Sequence, residues 1–192
     1  MSTSLRILII GQNGQVSRAL QSRLAGMAEL IVRGSDQLDL ARPDHLRSPI
    51  TALRPDLIIN AAAHTAVDQA ESEPERAFAI NATAPGVLAQ VAVELGVPLI
   101  HYSTDYVFDG RKPEPYTETD SPNPLSVYGR SKLAGEDAIR HVAGQHLILR
   151  TSWVYSNEGR NFLLTMQRLL QEKSHLRVVD DQIGAPTWAG TI

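Results

Sequence analysis

The sequence predicts an α/β fold in which a doubly wound parallel sheet carries helices on both faces. Short runs rich in Ile, Leu and Val alternate with stretches whose apolar residues recur at helical spacing. The runs are apolar at nearly every position, as expected of strands that are covered on both sides. The chain has 192 residues, 43% of them hydrophobic, which is enough for one substantial core. Strands that alternate with helices in this way indicate a parallel sheet.

Six strands are expected. The first is an almost continuous apolar run that ends at Gly11. The others are short β-branched or leucine-rich runs bounded by glycine, proline or polar residues. The expected strands are residues 6–10, 30–32, 56–60, 97–102, 146–151 and 176–179.

Five helices are expected between these strands. Pro43 is acceptable in the first turn of the second helix, whereas Pro85 falls inside the third helix and predicts a kink or a break. Gly96 is a stop signal for that helix. Residues 109–124 contain four prolines among polar residues and predict a long loop, which often serves as a lid or binding segment. The expected helices are residues 16–24, 43–53, 74–95, 127–142 and 161–173.

The end of the sequence suggests a single domain followed by the start of another region. Nothing marks a second complete domain, and the chain stops soon after the sixth expected strand. We therefore expect residues 1–192 to form one nucleotide-binding domain with the start of a substrate-binding region. Most of a C-terminal substrate-binding part is expected to lie outside this chain.

Composition excludes several classes of function. Lys and Arg total 18 against 21 Asp and Glu, so the net charge of −3 argues against a nucleic-acid partner. The absence of cysteine excludes disulfides, thiolate zinc sites, iron–sulfur clusters and cysteine nucleophiles, and it fits a reducing compartment. No apolar run approaches the roughly 20 residues of a membrane span. No His, Asp or Glu group has the spacing of metal ligands. We expect a cytoplasmic protein without a membrane partner or a metal site.

A glycine-containing turn joins the first strand to the first helix. It reads Gly11-Gln-Asn-Gly14-Gln-Val-Ser17. Gly11 permits a tight turn, and Gly14 permits a pyrophosphate to approach the amide groups at the helix N-terminus. Ser17 stands at the third position, where a small residue lets the helix lie against the sheet. Two glycines alone are weak evidence, but the strand–turn–helix context predicts a dinucleotide site.

The end of the second expected strand bears on which dinucleotide is bound. An acidic residue there binds the ribose 2′-hydroxyl of NAD, but this chain has Arg33 followed by Gly-Ser. A planar guanidinium pairs well with a 2′-phosphate, so Arg33 favours NADPH. Asp36 and Asp39 lie close by and leave NADH open, and Arg33 fits a solvated surface position equally well.

Small residues follow the third expected strand. Residues 60–65 read Asn-Ala-Ala-Ala-His-Thr. Small side chains there would let a cofactor lie across the carboxyl edge of the sheet. Simple packing between a helix and a strand is the alternative explanation.

Tyr128 and Lys132 indicate acid–base chemistry. Residues i and i+4 share one face of a helix, so both side chains point the same way. A lysine ammonium favours the phenolate and would lower the tyrosine pKa from its usual value near 10. Thr104 ends the fourth expected strand, at the sheet edge where ligands bind, and its hydroxyl can hold a carbonyl oxygen beside Tyr128. Such a tyrosine–lysine pair is common by chance. The functional interpretation is favoured because Thr104 is expected at the ligand-binding edge of the sheet.

These motifs occur in the order found in the extended short-chain dehydrogenases/reductases. The stretches NAAAHTAVDQAESEPERAFAINA, HYSTDYVFDG, VYGRSKLAGE, RTSWVYS and DDQIGAPT closely resemble the dTDP-4-dehydrorhamnose reductases within that group. The resemblance covers essentially the whole chain. It implies a Rossmann-like fold and the reduction of the C4 ketone of a nucleotide-sugar substrate, dTDP-4-dehydro-L-rhamnose, to dTDP-L-rhamnose. This is the last step of dTDP-rhamnose biosynthesis, and the implied cofactor is NADPH, with NADH as the alternative.

The resemblance also implies roles for single residues. Tyr128 would be the general acid, and Lys132 would lower its pKa and bind the nicotinamide ribose. Thr104 would bind the reacting oxygen and, with Asp105, contact the sugar, and Trp153 would be a further sugar-binding residue. With the residues inferred above, the expected cofactor-binding set is Gly11, Gly14, Gln15, Val16, Arg33, Asp39, Leu40, Ala62, Ala63, His64, Thr65, Tyr102, Tyr128 and Lys132.

Two further positions are compared with the family. Asn81 resembles an asparagine that supports the proton relay, and a helix-capping or core polar role is equally consistent with its position. Some relatives hold magnesium through acidic side chains at a dimer interface. The matching stretches, residues 17–19 and 188–190, contain no carboxylate. Magnesium is therefore not predicted, and a homodimer stays open.

Three other functions share part of the pattern. A dTDP-sugar 4,6-dehydratase resembles this chain, but that family has Asp-Glu after the threonine where this chain has Asp105-Tyr106. An epimerase would share Tyr128 and Lys132. A cofactor-binding regulatory subunit, like that of methionine adenosyltransferase, is the alternative that is not an enzyme, and the intact Thr104, Tyr128 and Lys132 favour an enzyme over it.

Overall fold

A five-stranded parallel sheet forms the centre of the computed structural model, which describes residues 4–192. The strand order is β2-β1-β3-β4-β5. Since β2 and β3 lie on opposite sides of β1, the direction of winding reverses between β1 and β3, and a crevice opens there at the carboxyl ends of the strands. The predicted fold class and the first five predicted strands are confirmed. The strands are β1 Arg6–Ile10, β2 Glu29–Arg33, β3 Leu57–Asn60, β4 Leu99–Thr104 and β5 His146–Thr151.

Helices cover both faces of the sheet because β1 is apolar on both sides. Leu8 and Ile10 point into the main core, which includes side chains of α2, α5 and α6. Ile7 and Ile9 point to the opposite face and pack against a smaller cluster that includes α1. The helices are α1 Gln15–Leu24, α2 Arg47–Leu53, α3 Val67–Ser72, α4 Pro74–Phe78, α5 Ala84–Leu95, α6 Val127–Val142 and α7 Phe162–Glu172.

The irregularity expected at Pro85 lies immediately before that residue. A π-helical turn, Ala79–Thr83, separates α4 from α5, and the amide of Ala84 bonds to the carbonyl of Ala79 five residues back. Pro85 follows in the first turn of α5, where its missing N–H group is tolerated. The predicted second helix likewise divides, into a 3₁₀ turn at Pro43–His45 and α2.

The helical stretch Pro74–Leu95 is long and apolar enough to cross a bilayer by length and composition. The sequence suggested no span of this kind, because polar and charged residues interrupt the stretch. Of its most apolar 18-residue window, 44% is buried inside the protein, and α5 supplies Leu88 and Val91 to the main core. Core packing therefore accounts for its apolar character.

The predicted sixth strand, residues 176–179, is wrong. These residues have no regular secondary structure, and Val178 and Val179 are exposed. A β-branched run forms a strand only where a neighbouring strand completes its hydrogen bonds, and this run has no such partner. A separate two-stranded parallel sheet instead pairs β6, Val154–Tyr155, with β7, Thr187–Trp188.

Residues 109–124 form the predicted loop. Asp109 holds it together by accepting hydrogen bonds from Tyr116 and Asn123. The ring of Tyr116 stacks on Phe108, with 4.2 Å between the ring centroids. The loop is thus braced by its own side chains beside the end of β4.

Candidate active site

Three strand ends and the start of α6 meet at the carboxyl edge of the sheet. The turn at Gly11 follows β1, residues 60–65 follow β3, and Thr104 ends β4. Gly11 has a φ of +101°, and a Cβ atom there would lie 3.2 Å from the Cβ of Ala62. Only glycine fits both the conformation and the contact. The tight turn that the sequence predicts at Gly11 is therefore present.

The N-terminus of α1 faces this crevice without a side chain that caps its amide groups. Gly14 is the N-cap residue and makes no side-chain capping bond, and the first turn has no acidic residue. Its amide groups and the positive end of the helix dipole are available to an anion. Ser17 is fully buried and donates a hydrogen bond to the carbonyl of Gly11, while Gln21 donates to Ser17. The serine thus braces the turn in addition to filling the small third position.

Gln15 makes contacts that the sequence did not suggest. Its amide nitrogen donates to the carbonyl of Val154 at 3.2 Å, and its oxygen accepts from Asn161 at 2.8 Å. Val16, beside it, is half-buried. These contacts attach the C-terminal part of the chain to the glycine turn. They span about 140 positions, so no local motif could have revealed them.

The residues predicted near the adenosine end lie at and beyond the end of β2. Arg33 is half-buried, and its guanidinium donates to the carbonyl of Val32 at 3.0 Å. Asp39 is exposed and accepts from the amide of Ala41. The side chain of Leu40 is 5% exposed and belongs to the main core. Any ligand contact at Leu40 is therefore restricted to its main chain.

The segment after β3 is held from behind by Asn81. The Asn81 side chain accepts from the amide of His64 at 2.8 Å, donates to its carbonyl at 3.0 Å and donates to Ser131 of α6 at 3.0 Å. This is the core polar role that the sequence left open for Asn81. Ala62 and Ala63 are half-buried and Thr65 is exposed. The Nδ1 atom of His64 is buried without a hydrogen-bond partner.

Tyr128 and Thr104 are brought together by α6 and β4. Ser126 caps α6 by accepting from the amide of Gly129, which fixes the first turn that carries Tyr128. The phenol packs edge-on against Tyr106, with 5.5 Å between the ring centroids. Burial raises the pKa of Tyr128 to about 12, and hydrogen bonding with the Thr104 hydroxyl opposes the rise. The lowered pKa expected for Tyr128 is therefore wrong for the free chain, because burial of the phenol dominates.

Lys132 lies one helical turn after Tyr128 on α6 and is fully buried. Its Nζ atom donates to the carbonyl of Tyr102 at 2.7 Å and lies 3.2 Å from Nε2 of His101. Burial lowers the pKa of Lys132 to about 8, and the neighbouring Glu136 carboxylate opposes the change. The amine is thus bonded to β4.

A buried ion pair that the sequence analysis missed holds α6 against β4 and β5. Glu136 is fully buried and accepts from Arg150 at 2.6 and 2.9 Å, from Ser103 at 2.5 Å and from Arg140 at 2.6 Å. Burial alone would raise the pKa of Glu136, but these donors hold it below its usual value. The available signal was position, since Glu136 lies one helical turn after Lys132 on the same face.

The residues predicted to contact the sugar lie beside Thr104 and after β5. Asp105 is half-buried and accepts from the Thr104 hydroxyl at 3.2 Å. Trp153 is 45% exposed and has a φ of +45°, which is rare for a bulky residue and costs conformational energy. Gly184 packs against its ring, where a side chain would collide. Trp153 thus combines a strained backbone conformation with a half-exposed indole ring.

The chain matches a known protein family over nearly its whole length. Residues 5–192 match the family described as the RmlD substrate binding domain. The chain is 50% identical over 189 residues to a dTDP-4-dehydrorhamnose reductase of Escherichia coli strain K12, covering 96% of this chain and 63% of that protein. It thus spans less than two thirds of the length of this relative.

Solved structures of two reductases superpose on the chain. A dTDP-4-dehydrorhamnose reductase of Clostridium acetobutylicum is 41% identical with a TM-score of 0.93, covering 97% of this chain and 66% of that one. The enzyme of Bacillus anthracis, solved in complex with NADP, is 39% identical with a TM-score of 0.93, covering 97% and 67%. From the family match over nearly its whole length, this chain belongs to the RmlD substrate binding domain family.

Proposed function

We propose that the protein carrying this chain reduces the C4 ketone of dTDP-4-dehydro-L-rhamnose to dTDP-L-rhamnose, the last step of dTDP-rhamnose biosynthesis. The observation that supports this most directly is the meeting of the Thr104 hydroxyl and the Tyr128 phenol at the carboxyl edge of the sheet. A proton donor and a carbonyl-binding hydroxyl are the two groups that ketone reduction requires of the protein.

NADPH is the proposed cofactor, with NADH as the alternative, and the residues at the crevice fit such a dinucleotide. The uncapped start of α1 at Gly14, Gln15 and Val16 would hold the pyrophosphate. Ala62, Ala63 and Thr65 would lie along the cofactor, and the unpartnered Nδ1 of His64 offers it a polar contact. A bound nicotinamide cofactor supplies the hydride that adds to C4.

Tyr128 is proposed to supply the proton. Because its pKa is raised to about 12, the phenol is protonated at neutral pH and can donate to the C4 oxygen as negative charge develops there. Thr104 would hold the same oxygen through its hydroxyl, and Tyr106 shields one side of the phenol from water. Lys132 is proposed to bind the nicotinamide ribose, and Asp105 and Trp153 to contact the sugar.

We further propose that residues 152–192 are the start of the substrate-binding region and that the enzyme works in the cytoplasm as a homodimer. The absence of cysteine supports a reducing compartment. Exposed apolar side chains along the C-terminal part of the chain, among them Phe162 and Leu170, support burial against further protein.

Turnover of the Tyr128→Phe variant tests the proposed acid. NADPH oxidation with dTDP-4-dehydro-L-rhamnose should fall by about 100-fold or more, because general acids contribute roughly 10²–10⁴-fold. Affinity for NADPH should not change. Tyr116→Phe, which removes a hydroxyl in the loop after β4, is the matched control and should keep its turnover. Wild-type turnover in Tyr128→Phe would refute the assignment.

The turnover of the wild type and of Tyr128→Phe should be measured in two lengths: this chain, and a chain extended to the length of the relatives. Turnover in both lengths would show that residues 5–192 suffice. Turnover in the extended chain alone would show that the sugar site needs the added part. No turnover in either length would favour the regulatory-subunit alternative.

The preference for NADPH is tested separately at Arg33. Arg33→Ala should weaken the binding of NADPH more than the binding of NADH, because only NADPH has a 2′-phosphate for the guanidinium to pair with. Arg42→Ala removes another arginine beyond β2 and serves as the control. An equal loss of affinity for NADPH and NADH in Arg33→Ala would contradict the preference.

A further inference from the structure

His101 is a buried titratable residue that the proposed reaction leaves without a role. It lies on β4, is fully buried and places its two ring nitrogens against two polar side chains. Nδ1 lies 3.1 Å from Nδ2 of Asn60, and Nε2 lies 3.2 Å from Nζ of Lys132. Asn60, His101 and Lys132 thus form a continuous hydrogen-bond chain from the end of β3 to α6. We call it the Asn60–His101–Lys132 chain.

The first link fixes the orientation of the Asn60 amide. Its Oδ1 atom accepts from the backbone amide of Ala62 at 3.2 Å. A backbone N–H can only donate, so the side-chain atom facing it must be the oxygen. The atom facing His101 is then the nitrogen of the amide, which also only donates. Nδ1 of His101 must accept this bond and therefore carries no proton.

The second link follows from the charge state of the ring. Burial lowers the pKa of His101 well below its usual value, so the imidazole is neutral. A neutral imidazole has one proton, and with Nδ1 accepting that proton is on Nε2. The Nε2–H group points at Nζ of Lys132. An uncharged amine can accept this bond, whereas an ammonium has no lone pair with which to do so.

Among the remaining surroundings of Lys132, the Glu136 carboxylate favours a positive charge there, but burial outweighs it. Glu136 and Tyr128 share its helix face, His101 and Tyr102 face it from β4, and Arg150 of β5 lies behind Glu136. The Glu136 carboxylate already accepts from two arginines and a serine. The carbonyl of Tyr102 accepts from the Lys132 nitrogen at 2.7 Å and can do so in either charge state of that nitrogen.

We propose that His101 is a positioning residue for Lys132: Asn60 sets the imidazole as the Nε2–H tautomer, and that N–H group holds the Lys132 amine and favours its uncharged form. The hydrogen-bond chain is a property of the free protein. Only its use in ketone reduction, where it would place the Lys132 amine below Tyr128, rests on the proposed function.

Nuclear magnetic resonance of the free chain tests the proposal without cofactor or substrate. The sequence has three lysines, Lys112, Lys132 and Lys173, so lysine labelled with ¹³C at Cε gives three signals. Lys132 should titrate at about pH 8, below the usual lysine value of about 10.4. Lys132→Arg removes one of the three signals and so identifies the signal of Lys132. Titration of Lys132 at about 10.4 or above would overturn the proposal.

The tautomer of His101 is read from the ¹⁵N shifts of its ring at pH 9. Nε2 should be protonated and Nδ1 should be an acceptor, and the reverse tautomer would overturn the proposal. Asn60→Asp replaces the donating amide with an acceptor. It should reverse the tautomer and move the Lys132 midpoint up by at least about one pH unit, because Nε2 then accepts from the ammonium.

Asn81→Asp is the matched control. It places a new carboxyl in another buried asparagine position, whose bonds go to His64 and Ser131. The His101 tautomer should not change. Unchanged tautomers in both variants would show that Asn60 does not set the ring. If Asn60→Asp does not fold, the wild-type tautomer and titration still decide the proposal, and no result here bears on whether the protein reduces the sugar.

Discussion

Residues 4–151 and residues 152–192 are built in different ways. The first region, which we call the body, contains the whole five-stranded sheet and nearly all of the buried apolar side chains. In the second, which we call the C-terminal segment, α7 has no buried residue, and several large apolar side chains are exposed. Ile183 is fully exposed and Leu170 is 69% exposed. The body thus supplies its own core, whereas the C-terminal segment does not.

Polar contacts between the two regions converge on α1. Gln15 bonds to Val154 and Asn161, and Arg18 forms an exposed ion pair with Glu158 at 3.2 Å. Such contacts orient a segment but contribute little stability. The comparison teaches that the stability of the fold depends on the body. The C-terminal segment is attached beside the glycine turn at Gly11 by contacts that add little to the free energy of unfolding. The predictions below test this difference, beginning with the largest effect.

The largest difference in stability between the two regions should appear when one acidic partner of an ion pair is removed from each. Glu136→Ala leaves Arg150 and Arg140 without their shared carboxylate, and breaking a buried pair costs about 3–5 kcal/mol of unfolding free energy. Glu172→Ala breaks the exposed Arg168–Glu172 pair of α7 and should cost less than about 1 kcal/mol. Urea unfolding measures both. Similar losses would show that the Glu136 network does not hold the body together.

Truncation of leucine gives a second contrast. Leu88→Ala opens a cavity in the main core and should cost about 2–5 kcal/mol. Leu170→Ala, on the exposed face of α7, should change the unfolding free energy by no more than about 0.5 kcal/mol. Thermal or urea unfolding compares them. A large loss in Leu170→Ala would mean that α7 is buried against another surface in solution.

The stability of the body should rise between pH 8 and pH 10. Burial lowers the pKa of Lys132 to about 8, below the value in the unfolded chain, so the unfolded chain binds more protons in this window. Stability is therefore gained as the pH rises and lost as it falls through the folded pKa. The gain is roughly 2 kcal/mol. Lys132→Met should remove the slope, and Lys173→Met, in the C-terminal segment, should leave it unchanged.

The smallest effect concerns the attachment of the C-terminal segment. Gln15→Ala removes the bonds to Val154 and Asn161 and should lower the unfolding free energy by about 1 kcal/mol. Hydrogen exchange of residues 152–192 should speed up while the strands of the body stay protected. Gln21→Ala, on the same helix but bonded to Ser17, is the control. Faster exchange throughout the sheet would show that the two regions unfold together.

The fold of the body was predictable because its signals are local. Five apolar runs bounded by turn residues predicted five strands, and Gly11 marked a turn where the structure requires a positive φ. The C-terminal segment shows the limit of this reasoning. Residues 176–179 have the composition of a strand but lack a partner, and pairing with a partner cannot be read from composition.

The site was predictable to the same degree. Thr104, Tyr128 and Lys132 could be placed at one sheet edge from the alternation of strands and helices alone. The Asn60–His101–Lys132 chain and the bonds of Glu136 could not, because they join residues on different strands at side-chain distances. The raised pKa of Tyr128 was missed for a related reason, since burial of one ring depends on tertiary packing.

The measurement that tests the central claim most directly is the transfer of deuterium. NADPH that carries deuterium at both hydrogen positions of C4 of the nicotinamide ring should give dTDP-L-rhamnose with deuterium at C4 of the sugar. The Tyr128→Phe variant should bind NADPH with an unchanged dissociation constant and form the labelled product at least about 100-fold more slowly. Labelled product at the wild-type rate in this variant, or unlabelled product from the wild type, would contradict the account.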